Sequence, residues 1–223
     1  MKLNTGFSTY CIIRYLYLVK REEIFYNQVV EKSQLVADVD RLFESLKELP
    51  LPVVEPVLVV VSGLPGTGKS FFCRRLVERL PAIILESDSL RRLLFQQPDY
   101  SQLESTRLFK AIRLLAERLL RRGFCIIIDA TNLSEHHREY FYSIAEHLDV
   151  KLVVISVEAP SSLVRKRLAE RSGNLAESSE ADWNVYTKMK PTVDKITRKH
   201  YVADTSRDIN PVIDKVMREI GRG

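Results

Sequence analysis

VLVVVSGLPGTGKS, the stretch from Val57 to Ser70, decides the fold of this chain. Its apolar, β-branched first half predicts a buried strand, and an amphipathic pattern after the glycine-rich turn predicts a helix. Gly63, Gly68, Lys69 and Ser70 match the spacing G-x-x-x-x-G-K-[ST] of a phosphate-binding loop. In such a loop backbone N–H groups surround phosphate oxygens, and the following helix directs its positive end at the same anion. The stretch therefore predicts binding of a nucleoside triphosphate.

This loop also predicts how ATP and Mg²⁺ are held. The Lys69 ammonium group can reach the β- and γ-phosphates, and the Ser70 hydroxyl can ligate Mg²⁺. The predicted nucleotide-binding residues are Gly63, Pro65, Gly66, Thr67, Gly68, Lys69, Ser70 and Phe71.

Length and composition restrict the class of protein. A chain of 223 residues is long enough for one α/β domain with an appendage. A hydrophobic content of 45% and a charged content of 28% indicate a globular chain and exclude a disordered one. The net charge of +5 suits anionic ligands, but any nucleotide-binding protein shares that bias. Three widely spaced cysteines, with no signal peptide and no membrane-spanning stretch, predict a cytoplasmic protein without a membrane partner.

Further apolar runs predict the rest of the sheet. These runs alternate with helical patterns and are Ala82–Glu86, Phe124–Asp129, Lys151–Val157 and His200–Ala203. Strands that alternate with helices favour an α/β fold with a doubly wound, parallel, five-stranded sheet. The segment from Glu180 to Lys199 is expected to be helical apart from Pro191. The predicted division is an N-terminal extension, residues 1–52, and a phosphate-loop domain, residues 53–223.

The N-terminal extension contains a predicted amphipathic helix at 22–49. Its apolar residues recur at three- and four-residue intervals and are Phe25, Val29, Val36, Val39, Phe43 and Leu46. The favoured interpretation is a helix that packs on the domain's own core. The alternative is a helix that mediates self-association, giving a homo-oligomer, or binds a partner protein.

Chemically useful side chains follow several of the predicted strands, where ligands of parallel sheets bind. Asp129 ends an Ile-Ile-Ile-Asp strand, as a carboxylate that holds Mg²⁺ directly or through water would do. Asp88 and Arg91 lie three residues apart on one helix face, so the carboxylate can accept a proton while the arginine orients it or contacts the phosphoryl group. Arg167 and Arg171 share a helix face and can neutralise the charge of a transferring phosphoryl group.

Two pairs of neighbouring ring side chains are expected to have structural roles. His136 and His137 are expected at an exposed helix start, because no further ligands appear at metal-binding spacing. Trp183 and Tyr186 could stack on a base, but packing within the protein is favoured.

The motifs together resemble those of the polynucleotide-kinase-like P-loop kinases. The resemblance rests on Gly-Leu-Pro-Gly-Thr-Gly-Lys-Ser, Ser-Asp-Ser-Leu-Arg, Asp-Ala-Thr-Asn and Arg-Lys-Arg-Leu-Ala-Glu-Arg, and extends from about Val57 to Ile220. This group includes 5′-hydroxyl polynucleotide kinases, is related to zeta-toxin-like kinases, and contains many kinases labelled AAA-type ATPases. Its bifunctional RNA-repair members carry a phosphatase or ligase domain after the kinase, whereas this chain ends at Gly223.

The resemblance implies roles for individual residues. Lys69 and Ser70 would bind ATP and Mg²⁺, with Asp88 as general base and Arg91 as the arginine that works with it. Asp129, Thr131 and Asn132 would belong to the loop that lines the acceptor side. Arg167 and Arg171 would be lid arginines that contact the donor's phosphates, and the loop around Thr205 to Arg207 would seat the adenine.

The sequence thus predicts an ATP- and Mg²⁺-dependent phosphotransferase that acts on a hydroxyl group. A small-molecule acceptor is favoured, because no basic groove interleaved with aromatic residues stands out in the sequence. The alternatives are a polynucleotide 5′-hydroxyl kinase, a growth-arresting toxin kinase of the zeta type, and an ATP-hydrolysing switch that signals through its N-terminal helix.

Overall fold

A parallel sheet forms the centre of the molecule. The structure is a computed structural model that describes residues 30–131, 134–172 and 183–221. Its five strands are β1 (Val57–Ser62), β2 (Ala82–Glu86), β3 (Cys125–Asp129), β4 (Lys151–Glu158) and β5 (Tyr201–Asp204). They run parallel in the order β2-β3-β1-β4-β5. The predicted five-stranded α/β fold is confirmed.

Helices connect the strands and cover both faces of the sheet. Residues 30–44 are helical and form α1. The others are α2 (Lys69–Val77), α3 (Ser87–Leu94), α4 (Gln102–Leu120), α5 (Glu135–Leu148), α6 (Ser161–Ser172), α7 (Trp183–Met189) and α8 (Asn210–Ile220), with a 3₁₀ turn at Lys190–Thr192. None of the described helices combines the length and apolarity needed to cross a membrane.

β1 is buried on both faces, so alternate residues belong to two separate cores. Leu58 and Val60 pack in the core that contains the apolar residues of α1, α4 and α5. Val59 and Val61 pack in the core that contains those of α2 and α8. The parallel register pairs Val61 with Asp129, and therefore brings the carboxyl ends of the strands to one edge of the sheet. The candidate site lies at that edge.

The helix α1 packs on the domain's own core. Val39 and Leu42 are buried in the same cluster as the apolar face of α4. The carboxylate of Asp38, itself buried, accepts hydrogen bonds from Arg107 Nε at 2.6 Å and Nη2 at 2.7 Å. The predicted face was wrong at Val36, whose side chain is 53% exposed.

α1 is shorter at its C-terminal end than the sequence predicted. The helix ends at residue 44, before the predicted end at residue 49, and the Ser45 hydroxyl donates to the Leu42 carbonyl at 2.7 Å just beyond its last turn. Phe25 and Val29 lie outside the described residues.

The segment after α7 is not helical as far as Lys199, contrary to the sequence-based expectation. Pro191 cannot donate a helical hydrogen bond, and the chain leaves the helix after the 3₁₀ turn that contains it. The guanidinium group of Arg138, fully buried, donates to the backbone carbonyls of Asp194 at 2.9 Å and Lys195 at 3.2 Å. These contacts hold the segment against α5 in an irregular conformation.

Candidate active site

The phosphate-binding loop has the backbone that its glycines allow. Gly66 and Gly68 adopt positive φ angles of 77° and 94°, which L-residues with a side chain rarely do. At Gly63 a β-carbon would lie 2.4 Å from the Val157 carbonyl oxygen, so no side chain fits between the loop and β4. The sequence pattern identified these positions because each glycine is required by backbone geometry.

Contacts with the loop after β3 fix the start of the phosphate-binding loop. The Thr131 carbonyl accepts hydrogen bonds from the Gly63 N–H at 3.1 Å and from the Ser62 hydroxyl at 3.3 Å. Thr131, predicted on the acceptor side, lines the same cleft as Lys69. Asn132, predicted beside it, lies outside the described residues.

A cleft of about 1280 Å³ begins at the phosphate-binding loop and extends over α4 and α5. Pro65, Lys69 and Ser70 line its loop end, together with Asp88 and Asp129. The predicted donor residues and the predicted base therefore share one cavity. Phe71, predicted to bind nucleotide, lies in the first turn of α2 with a side chain that is 49% exposed.

Three carboxylates meet around Lys69 and Ser70 at the loop end of the cleft. Burial raises the pKa of Asp88 above its ordinary value, while the charge of Lys69 opposes the shift and that of Glu86 adds to it. Burial likewise raises the pKa of Asp129, against a hydrogen bond from Ser70. The raised pKa of Asp88 brings the carboxyl group closer to the range in which it can exchange a proton with an alcohol.

Asp129 and Ser70 fit a hydrated divalent cation. The Oδ2 atom of Asp129 is buried and has no hydrogen-bond partner among the residues that the structure describes. An unpaired anionic oxygen in the interior is costly unless a cation balances it. Among the described residues no three His, Cys, Asp or Glu side chains are placed so that they could ligate one metal ion together, and this includes Glu86, Asp88 and Asp129. This suits Mg²⁺, which commonly takes one or two protein oxygens and completes its shell with phosphates and water.

Arg91 lines the cleft and is held there by contacts with residues 100–105. Its guanidinium group is buried, forms an ion pair with Glu104, and donates to the Ser105 hydroxyl at 3.2 Å. The Tyr100 ring centroid lies 4.7 Å from its Cζ atom. The positive charge of Arg91 lowers the pKa of Asp88, so the two predicted site residues interact electrostatically. Contact with a phosphoryl group stays a prediction.

Arg167, predicted as a lid arginine, lies against the phosphate-binding loop. Arg167 Nη1 donates to the Thr205 hydroxyl at 2.8 Å and Nη2 to the Thr205 carbonyl at 3.0 Å. The same hydroxyl donates to the Thr67 carbonyl at 2.6 Å, so α6, the loop after β5 and the phosphate-binding loop are joined. The backbone of Arg171 continues α6, and its side chain lies outside the described residues.

Sequence reasoning missed Glu86, the residue that ends β2. Its Oε1 atom accepts a hydrogen bond from the Ser70 hydroxyl at 3.4 Å, and its Oε2 accepts one from Ser89. The strand register pairs it with Asp129 on β3. Its position at a strand end beside Asp88 is the signal that could have identified it.

The other missed feature is the far end of the cleft. There the lining is basic and aromatic, and its residues are Phe109, Lys110, Arg113, His136, His137 and Tyr140. His136 and His137 are exposed at the start of α5, as expected. The sequence does not reveal this end of the cleft because its lining residues come from two helices that are separated in the chain.

A family model described as an AAA domain (AAA_33) matches residues 58–196. The chain belongs to this AAA domain family. The match begins at the first residues of β1 and covers the phosphate-binding loop, Asp88, Asp129 and α6. The predicted AAA-type, P-loop kinase-like domain is thereby confirmed, while the polynucleotide-kinase-like subfamily stays a prediction.

One curated relative and two solved structures illustrate the similarity. The chain is 28% identical over 137 residues to the L-seryl-tRNA(Sec) kinase of Methanococcus maripaludis, an alignment that covers 59% of this chain and 52% of the relative. The chain thus spans about half the length of the curated relative it matches. The APS kinase CysC of Mycobacterium tuberculosis, in complex with AMPPNP and APS, is similar in fold with a TM-score of 0.58 and 16% identity; the match covers 77% of this chain and 99% of that one. A gluconokinase from Sinorhizobium meliloti has a TM-score of 0.55 and 18% identity, with coverages of 75% and 93%.

Proposed function

We propose that this protein is an ATP- and Mg²⁺-dependent kinase that transfers the γ-phosphoryl group of ATP to a hydroxyl acceptor. The observation that carries the proposal is the position of Asp88. This carboxylate, with its pKa raised by burial, shares the loop end of the cleft with Lys69 and Ser70. The cleft beside this carboxylate extends over α4 and α5, so it has room for an acceptor larger than water. The names of the relatives, L-seryl-tRNA(Sec) kinase, APS kinase and gluconokinase, support the same class of reaction.

The proposed reaction assigns one role to each group. Asp88 accepts the proton of the acceptor hydroxyl as its oxygen attacks the γ-phosphorus, and the bond from that phosphorus to the β–γ bridging oxygen breaks to release ADP. Lys69 and the backbone N–H groups of the loop hold the phosphates in line. Ser70 and Asp129 hold Mg²⁺, which supplies neutralisation of the phosphate charge when bound. Arg167 and Arg171 are proposed to close over the phosphates with α6.

The acceptor is a small molecule or the end of a nucleic acid. The sequence favours a small molecule, and the similar proteins include both an L-seryl-tRNA(Sec) kinase and a gluconokinase. The rival switch function, exerted through α1, has less support, because the described part of that helix packs on the domain's own core. A toxin kinase of the zeta type would use the same chemistry and differs only in its acceptor.

Asp88→Asn tests the proposal. The variant keeps the size of the side chain and removes the base, so transfer of label from [γ-³²P]ATP to an acceptor mixture should fall by roughly 10²- to 10⁴-fold. Affinity for ATP, measured by calorimetry, should stay within about threefold because the substitution keeps the size of the side chain and leaves Lys69, Ser70 and the loop backbone unchanged. The acceptor mixture contains metabolites and a 5′-hydroxyl oligonucleotide.

Asp214→Asn is the matched control, since Asp214 lies on α8 and forms an exposed ion pair with Arg79. It should transfer label as the parent protein does. Equal transfer by the Asp88→Asn variant and the parent would refute the role of Asp88. Label that appears only in inorganic phosphate would favour the switch over the kinase.

A further inference from the structure

The far end of the cleft forms a surface that the proposed phosphoryl transfer does not use. We call it the distal arm. It is lined by Phe109, Lys110 and Arg113 of α4 and by His136, His137 and Tyr140 of α5.

The distal arm lies well away from the reacting groups. Ser105, on the same face of α4, accepts a hydrogen bond from Arg91 at 3.2 Å and so marks the neighbourhood of Asp88. Arg113 follows Ser105 by eight residues, which at 1.5 Å per residue is about 12 Å along the helix. The lining of the cleft on α4 therefore extends over about two helical turns from the Arg91 contact to Arg113.

The charges of the cleft are separated along its length. Its carboxylates, Glu86, Asp88 and Asp129, all line the loop end, and no carboxylate of the described residues lines the distal arm. Lys110 is paired with Glu31 of α1 at 2.5 Å. Arg113 forms no ion pair within the described part of the chain, although its Nε donates to the Phe109 carbonyl at 3.1 Å. The distal arm therefore carries an unbalanced positive charge.

The guanidinium group of Arg113 lies over the ring of Tyr140. Its Cζ lies 3.8 Å from the centroid of the Tyr140 ring, whose hydroxyl hydrogen bonds with His136 Nε2 at 3.2 Å. A guanidinium group held over a ring loses less conformational freedom on binding than a free one, and its remaining N–H groups match the oxygens of a phosphate. The Phe109 and His137 rings stack beside it with centroids 6.0 Å apart.

We propose that the distal arm is a phosphate-binding subsite for the acceptor, with Arg113 as its principal ligand. The inference rests on the proposed kinase function and narrows it: the acceptor carries a phosphate group at the end of the cleft away from the hydroxyl that is phosphorylated. A phosphate group offers more oxygens than a carboxylate does, so it can engage Arg113 and a His136 ring N–H together. The source of that phosphate is either a phosphodiester strand or a free phosphorylated metabolite.

The experiment compares charged and neutral probes while the donor site is filled. The full chain is saturated with AMPPNP and Mg²⁺, so that the phosphate-binding loop is occupied. Binding of a fluorescein-labelled trithymidylate with a free 5′-hydroxyl is then measured by anisotropy, against the same trimer with neutral methylphosphonate linkages. A second pair, glucose 6-phosphate and glucose, is measured by calorimetry.

At least one phosphate-bearing probe should bind tenfold or more tightly than its neutral counterpart, and the pair that shows it identifies the source. Arg113→Met should abolish most of that preference, while Arg113→Lys should keep part of it. Arg121→Met is the matched control, because Arg121 lies just beyond the same helix in an exposed pair with Glu117. Affinity for AMPPNP should be equal in all four proteins.

The proposal is overturned if neither pair shows a preference for the phosphate, or if the preference survives in Arg113→Met. Failure of the kinase function has a different signature. Binding that depends on Arg113 without any transfer of label from ATP would refute the kinase and leave the subsite. Transfer to a phosphate-bearing acceptor with the same kcat/KM in the parent and in Arg113→Met would refute the subsite and leave the kinase.

Discussion

Glu86 acts on the proposed base, Asp88, through its charge. No contact with the acceptor is assigned to it. It accepts a hydrogen bond from the Ser70 hydroxyl and its charge raises the pKa of Asp88, second to burial among the causes that raise it. Removal of that charge should therefore lower the pKa of Asp88. Because the base must be ionised to accept a proton, transfer is lost as the pH falls through that pKa. Glu86→Gln should shift the acidic limb of the pH–rate profile to lower pH.

The rate of Glu86→Gln at its pH plateau should stay within about tenfold of the parent rate. The amide oxygen can still accept the Ser70 hydrogen bond, and even the loss of that hydrogen bond would cost only about 1 kcal/mol. Initial rates of label transfer over a range of pH values measure both quantities. Glu78→Gln, which alters an exposed pair with Arg75, is the control and should not move the limb. An unchanged or upward-shifted limb in Glu86→Gln would contradict this electrostatic role.

At the scale of elements, α1 and α4 are joined by an ion pair between Asp38 and Arg107, whose side chains differ in solvent exposure. The Asp38 side chain is 5% exposed and the Arg107 side chain is 40% exposed. Burial acts to raise the pKa of Asp38, but hydrogen bonds from Arg107 and Gln34 outweigh it and hold the pKa below its ordinary value. The pair therefore stabilises the fold at neutral pH, and this contribution is lost as the pH falls through the lowered pKa.

The unequal exposure predicts unequal effects of the two substitutions. Arg107→Met leaves the Asp38 carboxylate buried without its main partner and should lower the free energy of unfolding by about 3 kcal/mol. Asp38→Asn leaves Arg107 free to be hydrated and should cost about 1 kcal/mol. Urea denaturation at pH 7 measures both.

Arg118→Met is the control for α4, because it removes an exposed pair with Asp40 and should cost less than about 1 kcal/mol. The loss in Arg107→Met should also shrink at acidic pH, where Asp38 is protonated in either protein. Equal costs for Arg107→Met and Asp38→Asn would show that the burial of Asp38 is not what matters.

Local pattern was sufficient for the strands and for the loop, and insufficient where distant segments meet. β1 and its loop were predictable because apolar β-branched residues and obligatory glycines act on their own neighbourhood. The irregular chain after Pro191 depends on Arg138, a side chain more than fifty residues away. The ion pair that holds Arg91, and the distal arm around Arg113, likewise combine elements whose proximity no local pattern encodes.

At the scale of the whole molecule, the carboxylates at the ligand-binding edge of the sheet lower the stability of the ligand-free protein. Asp129 is buried, its Oδ2 has no hydrogen-bond partner among the described residues, and the neighbouring Asp88 and Glu86 add negative charge. Such a group destabilises the protein without ligand and is compensated when a cation binds. Asp129→Asn should therefore raise the free energy of unfolding of the ligand-free protein by on the order of 1 kcal/mol.

The same substitution should remove most of the stabilisation by Mg²⁺-ATP. At a ligand concentration 100-fold above Kd, binding stabilises the parent by about 2.7 kcal/mol, and a variant that binds Mg²⁺-ATP poorly gains only a fraction of this. Thermal unfolding with and without AMPPNP and Mg²⁺ measures the two opposite changes in one titration. Asp214→Asn, which alters an exposed pair with Arg79 on the remote helix α8, is the control and should show neither change. If Asp129→Asn kept the full response to Mg²⁺ and AMPPNP, the metal would have to be held elsewhere, and Asp129 would be a structural carboxylate of the sheet.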